Sequence, residues 1–165
     1  MSLPPGVRID TATDRDVPVI LTLITALAEY ERMSGDVIAD EAALRASLFG
    51  PAPAAEAVIA RAGAEPVGFA VWFHSYSTFL GRRGFYLADL FVVPEWRGRG
   101  VGRALLTHLA QVAVERGCGR MEWSVLNWNQ PAIRFYRSLG AKPMNDWTVF
   151  RLTGDALARL AGSRL

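Results

Sequence analysis

Apolar residues recur at helical spacing at Val17, Ile20, Leu21, Ile24, Leu27 and Ala28. They follow Thr13-Asp14-Arg15-Asp16, which has capping-box spacing with Asp in place of Glu. The pattern predicts a helix running to about Arg32 and ending by Gly35. Before it, Val7-Arg8-Ile9 alternates as a short strand does. Glu41 to Phe49 reads as a second helix, stopped by Gly50-Pro51. Ala57–Arg61 and Val67–Phe73 flank the turn Gly63-Ala64-Glu65-Pro66 and predict a hairpin. Phe85–Val93 is a long strand rich in aromatic and branched residues. Val101, Leu105, Leu109 and Val112 then mark the buried stripe of a helix that ends near Gly117. Met121–Leu126 is a further strand. Asn129 caps a helix with Pro131 in its first turn and Gly140 at its end. Trp147–Leu152 is predicted as the last strand and Asp155–Leu160 as a short tail helix. The order β-α-α-β-β-β-α-β-α-β describes an α/β (α+β) fold, one domain over residues 1–165, with helices on the faces of a mixed sheet.

Composition narrows the function classes. Apolar residues make up 51% of the chain and charged ones 21%, which is a globular balance. A net charge of +2, with no basic run longer than Arg82-Arg83, argues against a nucleic-acid partner. No apolar run reaches the roughly 18 residues of a membrane span. Met1-Ser2-Leu3-Pro4-Pro5 has neither the basic nor the apolar region of a signal peptide, so a cytoplasmic location is expected. The single cysteine, Cys118, excludes an internal disulfide and a Cys-based zinc site, and His74 and His108 stand far apart in sequence, so no metal is expected.

The candidate chemistry begins where the Phe85–Val93 strand meets the next helix, in "LFVVPEWRGRGVGRALL". A P-loop fails, because Gly102-Arg103-Ala104 stands where Gly-Lys-Ser/Thr is needed. The dinucleotide fingerprint fails too, since its third glycine falls on Arg103 or Leu105. Glu122 lies about 20 residues on, where a ribose-binding acid is sought, but at the start of its strand rather than its end. A third motif, Arg/Gln-x-x-Gly-x-Gly/Ala, is filled by Arg97, Gly100 and Gly102. It describes an anion nest: successive backbone N–H groups converge at a positive helix end, with Arg97, Arg99 and Arg103 adding charge. The same residues also fit a glycine-rich connector with solvated arginines. In "NWNQPAIRFYRSLGA", Asn129 and Tyr136 lie two helical turns apart on one face. Tyr136 there fits either a cleft or a core position with a hydrogen-bonded hydroxyl.

Taken together, "LADLFVV", "RGRGVG" and "NQPAIRFYRSLGA" resemble, in order and spacing, the GCN5-related N-acetyltransferase family. Within it, "ALAEYERM", "STFLG" and "EWSVLNWNQPAI" are similar to the diamine (spermidine/spermine) and thialysine acetyltransferases. The resemblance implies a mostly antiparallel sheet in which one parallel strand pair splays apart to hold acetyl-CoA. It implies that the backbone of Leu90, Phe91 and Val92 meets the pantetheine arm. Arg97, Gly98, Arg99, Gly100, Val101, Gly102 and Arg103 would hold the pyrophosphate, and Asn129 and Ala132 the pantetheine. Tyr136 would stand near the sulfur and serve as the proton donor to the leaving thiolate. The acceptor would be a small-molecule amine, with Tyr30 and Glu31 in the family's substrate-binding positions.

One position departs from the family. The diamine enzymes carry a Glu just before the Asp of "YLADLFV", and this chain has Ala88. Strict alternation turns neighbouring Asp89 to the opposite face. Glu29, Glu31 and Asp146 are left as candidates to attract a cationic amine, although each also suits a solvated surface. His74, ending a strand, is a weaker candidate for the acceptor cleft, and His108 reads as a surface or half-buried residue. Cys118 has no base beside it in sequence. Trp123 and Trp147, on late strands, suggest a homodimer. The alternatives are an acetyltransferase acting on a protein N-terminus or lysine, and a non-catalytic acetyl-CoA sensor.

Overall fold

A computed structural model describes residues 3–162. Met1 and Ser2 of the N-terminus read above, and the last three residues of the expected domain, lie outside the described residues. The chain divides into two units, Met1–Leu126 and Asn127–Leu165.

In the first unit, β1 (Val7–Thr11) leads to the capping box, where Thr13 N donates to Asp16 Oδ2 at 2.8 Å. A 3-10 turn, Asp14–Asp16, then feeds α1 (Val17–Tyr30). The helix stops two residues earlier than its apolar spacing predicts. Arg32 takes a left-handed φ of 61°, Arg32 N donates to Glu29 O at 3.1 Å, and Met33 N to Ala28 O at 2.8 Å. This is a Schellman ending without the usual glycine, so sequence gave no sign of it. α2 (Glu41–Phe49) is capped by Asp40, which accepts from Ala43 N at 2.8 Å.

There follow β2 (Glu56–Ala62), β3 (Glu65–Phe73), a small hairpin of β4 (Tyr76–Ser77) and β5 (Arg82–Arg83), β6 (Phe85–Val92), α3 (Val101–Glu115) and β7 (Met121–Trp123). Five strands form one sheet in the order β1-β2-β3-β6-β7. All neighbours are antiparallel except β6 and β7, which are parallel. Ile20, Leu23, Leu48, Ile59, Phe69, Val71 and Phe91 pack α1 and α2 onto one face. On the other face lies α3: a Cβ on Gly68 would stand 3.4 Å from Leu105 Cδ1. Phe69 and Leu105 are fully buried, and each such side chain contributes about 1.5–3 kcal/mol.

Two irregularities of β6 shape the site. Val71 pairs with Asp89 but Trp72 pairs with Leu87, so β6 carries one extra residue at Ala88, a β-bulge. Before it, Phe85 stacks on Trp72, ring centroids 5.6 Å apart, on the α3 face. After it, Asp89 and Phe91 lie opposite Val71 and Phe69, on the α1 face. The second irregularity is that β7 pairs only with Phe85, Tyr86 and Leu87. Beyond Leu87 the parallel pair has parted, and the strand predicted to reach Leu126 ends at Trp123.

In the second unit, α4 (Gln130–Ser138) is capped by Asn129 and carries Pro131 in its first turn. Gly140, at φ 87°, ends it, with Ala141 N donating to Tyr136 O at 3.2 Å. α5 (Gly154–Gly162) is longer than the predicted tail helix. The predicted strand Trp147–Leu152 does not form. A strand exists only where its backbone groups find a ladder; here the side chains of Trp147, Val149 and Phe150 are 75%, 84% and 92% exposed.

Candidate active site

The glycine turn has the conformation its spacing implies. Gly98 and Gly100 take φ of 72° and 88°, a region that an L side chain enters only with strain. Gly100 is the N-cap of α3, so alternating left-handed residues turn backbone N–H groups together at a positive helix end. No atom lies within 4 Å of where a Gly98 Cβ would stand. Arg99, Gly100 and Arg103 line a groove with Leu3, Pro4 and Pro5, and Arg99 Cζ sits 4.9 Å from the Trp96 ring. Val101 is buried, anchoring the helix start, and a Cβ on Gly102 would meet Val92 Cγ2 at an ordinary 3.7 Å. The cradle thus fits a pyrophosphate: open backbone, the exposed Arg99 with half-buried Arg103, and a helix end.

Arg97 is turned away from its neighbours in the motif. Its Nε donates to Val92 O at 2.9 Å. Its Cζ lies 4.5 Å from the Tyr30 ring centroid and 5.3 Å from that of Phe91.

Next to the cradle is the open edge of β6. Val93 N donates to Val67 O at 3.0 Å across the ladder, and pairing alternates from there. Phe91 therefore spends its backbone groups on Phe69, and its ring is buried. Leu90 and Val92 present theirs to the edge that β7 has left. With Val92 O taken by Arg97, the open edge offers both backbone groups of Leu90 and the N–H of Val92. Of the three consecutive residues expected to meet a pantetheine arm, two face the cleft.

The bulge overturns the alternation argument for Asp89. It brings that carboxyl to the α1 face, within electrostatic reach of Glu31 at the helix end. Burial pushes the Asp89 carboxyl above its ordinary range. Glu31 is also raised, first by burial and then by the charge of Asp89. Two carboxyls that both resist ionisation favour taking up a proton or a cation between them. Ala88, at the bulge, is exposed, and Glu29 lies on an exposed face of α1. Asp89 is the residue the sequence reading missed; a Trp-Val step opposite a Leu-Ala-Asp step gives no local sign of a bulge.

In the second unit, Asn129 Oδ1 accepts from Ala132 N at 3.3 Å and so fixes the start of α4. Ala132, Ile133 and Tyr136 share its half-buried stripe, and the Phe135 and Tyr136 rings are 5.6 Å apart. Asp146 is exposed.

Other candidates fall elsewhere. His74 lies at the opposite end of the sheet from the cradle, beside Gly84 and the C-terminal end of α3, not at an acceptor cleft. It stands 3.7 Å from Cys118 Sγ, so Cys118 does have a histidine beside it. That histidine is no base for the thiol: its Nδ1 donates to Gly84 O at 3.1 Å, and its Nε2 accepts from Arg116 at 3.0 Å. Arg116 in turn forks onto Glu56, Nη2 to Oε2 at 2.8 Å, and its charge and hydrogen bonds hold the Glu56 carboxyl below its ordinary range. Glu122 pairs with Arg120. His108 is half-buried on α3. Among the described residues, no group of three or more His, Cys, Asp or Glu side chains is placed to hold a metal ion, and no helix is long and apolar enough to cross a membrane.

Comparison with known proteins gives four findings. The model of the acetyltransferase (GNAT) family matches residues 22–141. A thialysine N-epsilon-acetyltransferase of Bos taurus is 40% identical, covering 94% of this chain and 98% of its own. An L-ornithine N5-acetyltransferase of Arabidopsis thaliana is 32% identical over 91% of this chain and 86% of its own. Among solved structures, an integron cassette protein from the mobile metagenome of V. cholerae superposes with a TM-score of 0.81 at 26% identity, covering 96% of this chain and 99% of its own.

Proposed function

Because the chain belongs to the acetyltransferase (GNAT) family, we propose that it transfers the acetyl group of acetyl-CoA directly to a primary amine of a small molecule, a diamine or an amino acid of the thialysine or ornithine kind. It is an acetyl-transferring enzyme. The observation that carries the acceptor class is the half-buried carboxyl pair Asp89–Glu31 beside the open edge of β6. An amine arrives as an ammonium, and an acidic pair draws it in and takes its proton.

Gly98, Gly100 and Arg99 with Arg103 are assigned the pyrophosphate, and the edge groups of Leu90 and Val92 the pantetheine. Acetyl-CoA supplies an activated acyl carbon and a thiolate leaving group. Val92 N–H or Leu90 N–H donates to the oxygen that becomes negative as the amine nitrogen bonds to the carbonyl carbon. Asp89, with Glu31, accepts the ammonium proton, making the nitrogen a nucleophile. Tyr136, by the family's motif, gives a proton to the sulfur as the C–S bond breaks. Tyr30 and Glu31 keep the family's substrate-binding positions, and Asp146 remains a candidate to attract a cationic amine. No step needs a covalent enzyme intermediate.

Release of free CoA thiol on a panel of thialysine, ornithine, lysine, putrescine and spermidine tests this reading. Turnover is expected on one of the amino acids or diamines. Turnover only on peptides would replace it with protein acetylation, and acetyl-CoA binding without turnover would replace it with a sensor. Ala88→Glu restores the acid that the diamine enzymes carry at this position; it is expected to raise kcat/KM for spermidine about tenfold. No rise would mean that the acid at this position does not set polyamine use.

A homodimer and a cytoplasmic location belong to the same reading. The exposed Trp147, Val149 and Phe150 form an apolar, branched and aromatic run that suits a strand awaiting a ladder. Light scattering is expected to give twice the 18.1 kDa chain mass, and Phe150→Asp to give the single mass. The free thiol of Cys118 suits a reducing compartment.

A further inference from the structure

We infer that Arg97, the leading residue of the glycine motif, serves the acceptor amine rather than the cofactor phosphate: it is a positioning residue that locks the end of α1 to the end of β6. This rests on the proposed function for its acceptor. The side chain is committed in two ways. Its Nε–H caps Val92 O at 2.9 Å, a carbonyl that otherwise stands on the open edge. Its guanidinium carbon lies 4.5 Å from the Tyr30 ring centroid and 5.3 Å from that of Phe91, so the cation rests against two aromatic rings.

The location gives this contact its consequence. Tyr30 is the last residue of α1, immediately before Glu31, and the chain then turns through left-handed Arg32. Phe91 is two residues past Asp89 on β6. Arg97 therefore joins the two elements that carry the carboxyl pair, one residue from Glu31 and two from Asp89. A planar guanidinium is suited to this, because it hydrogen-bonds in its plane and presents its flat face to a ring. Arg99 and Arg103 line the groove beside Gly100, away from the contacts that Arg97 makes with Tyr30 and Phe91.

Calorimetry of acetyl-CoA and steady-state kinetics with the acceptor separate the two roles. Arg97→Gln is expected to raise acceptor KM about tenfold while the acetyl-CoA Kd stays within about twofold. Arg97→Lys, which keeps a charge near the rings but loses the planar fork that reaches Val92 O, is expected to recover only part of that KM. Tyr30→Leu should raise KM by a similar factor, and Tyr30→Leu with Arg97→Gln should cost little more than either alone. A tenfold loss of acetyl-CoA affinity in Arg97→Gln with unchanged acceptor KM overturns the assignment and makes Arg97 a phosphate ligand. Equal changes in both constants, or none in either, overturn it as well. If the wild type acetylates no amine, the proposed function falls. The contact is then read from denaturant unfolding of the same double-mutant cycle. Coupling of at least about threefold in the folded-to-unfolded ratio, with acetyl-CoA affinity retained in Arg97→Gln, supports the lock, and smaller coupling overturns it.

Discussion

Tyr136→Phe is expected to lower kcat by about a hundredfold while leaving the acetyl-CoA Kd within about twofold. The substitution removes one oxygen and keeps the ring, so α4 retains the half-buried stripe that residue 136 shares with Ala132 and Ile133. Asn129 still caps the helix, and Ala141 N still donates to the carbonyl of residue 136. What is lost is a phenolic proton. A thiolate is a moderate leaving group, and without a donor its charge must be carried by solvent. The loss should appear in kcat and kcat/KM together, since the interaction is needed only as the C–S bond breaks. It should shrink for a thioester with a more acidic thiol. An unchanged rate would remove Tyr136 from the chemistry.

Asp89→Asn is expected to do two opposite things. Activity should fall by about a hundredfold, because the amide accepts no proton and attracts no ammonium. Stability at neutral pH should rise. The sign follows from the direction of the shift: burial raises the folded-state carboxyl above its unfolded value. Such a group favours the fold fully below its unfolded pKa, and that contribution is lost as pH rises through the folded value. At neutral pH the half-buried Asp89 carboxyl is therefore a cost, which the amide removes. Glu31 is raised as well, so Asp89→Asn also relieves Glu31 of a neighbouring charge. A higher denaturation midpoint at pH 7, shrinking toward pH 4, together with a lost acidic limb in the kcat/KM profile, is the expected pair of results. Lower stability at pH 7 would mean that Asp89 is a structural carboxylate, and the base would have to be sought elsewhere. Trading stability for a poised carboxyl is common at active sites.

The parts of this molecule legible in its sequence are those decided within a few residues. The Thr13–Asp16 box, the Asn129 cap and the left-handed glycines at 98 and 100 are local steric and hydrogen-bonding choices, and each was readable. The features that escaped depend on partners far along the chain. The bulge at Ala88 exists only relative to β3, so an intact alternation over Phe85–Val93 placed Asp89 on the wrong face. The Trp147–Leu152 run has the pattern of a strand but no ladder to join. The end of α1 was displaced because Arg32, a residue with no special liking for positive φ, adopts one. Arg97 was read by its neighbours in the motif, while its actual partners, Tyr30 and Val92, lie on other elements.

The extra residue in β6 also acts as a phase shifter. A strand built in one register throughout has a single parity: the residues that fill the core and those that offer backbone to an edge are fixed together. Inserting Ala88 lets Phe85 and Leu87 obey one parity and Leu90 and Val92 the other. Deleting it would join Leu87 to Asp89 in an unbroken ladder, keeping Asp89 opposite Val71 and Phe91 opposite Phe69 while removing the local kink and the exposed position at 88. The core-building half and the catalytic half of β6 can thus change independently, and a carboxylate can move between positions 88 and 89 by substitution alone, with no change in the surrounding loops.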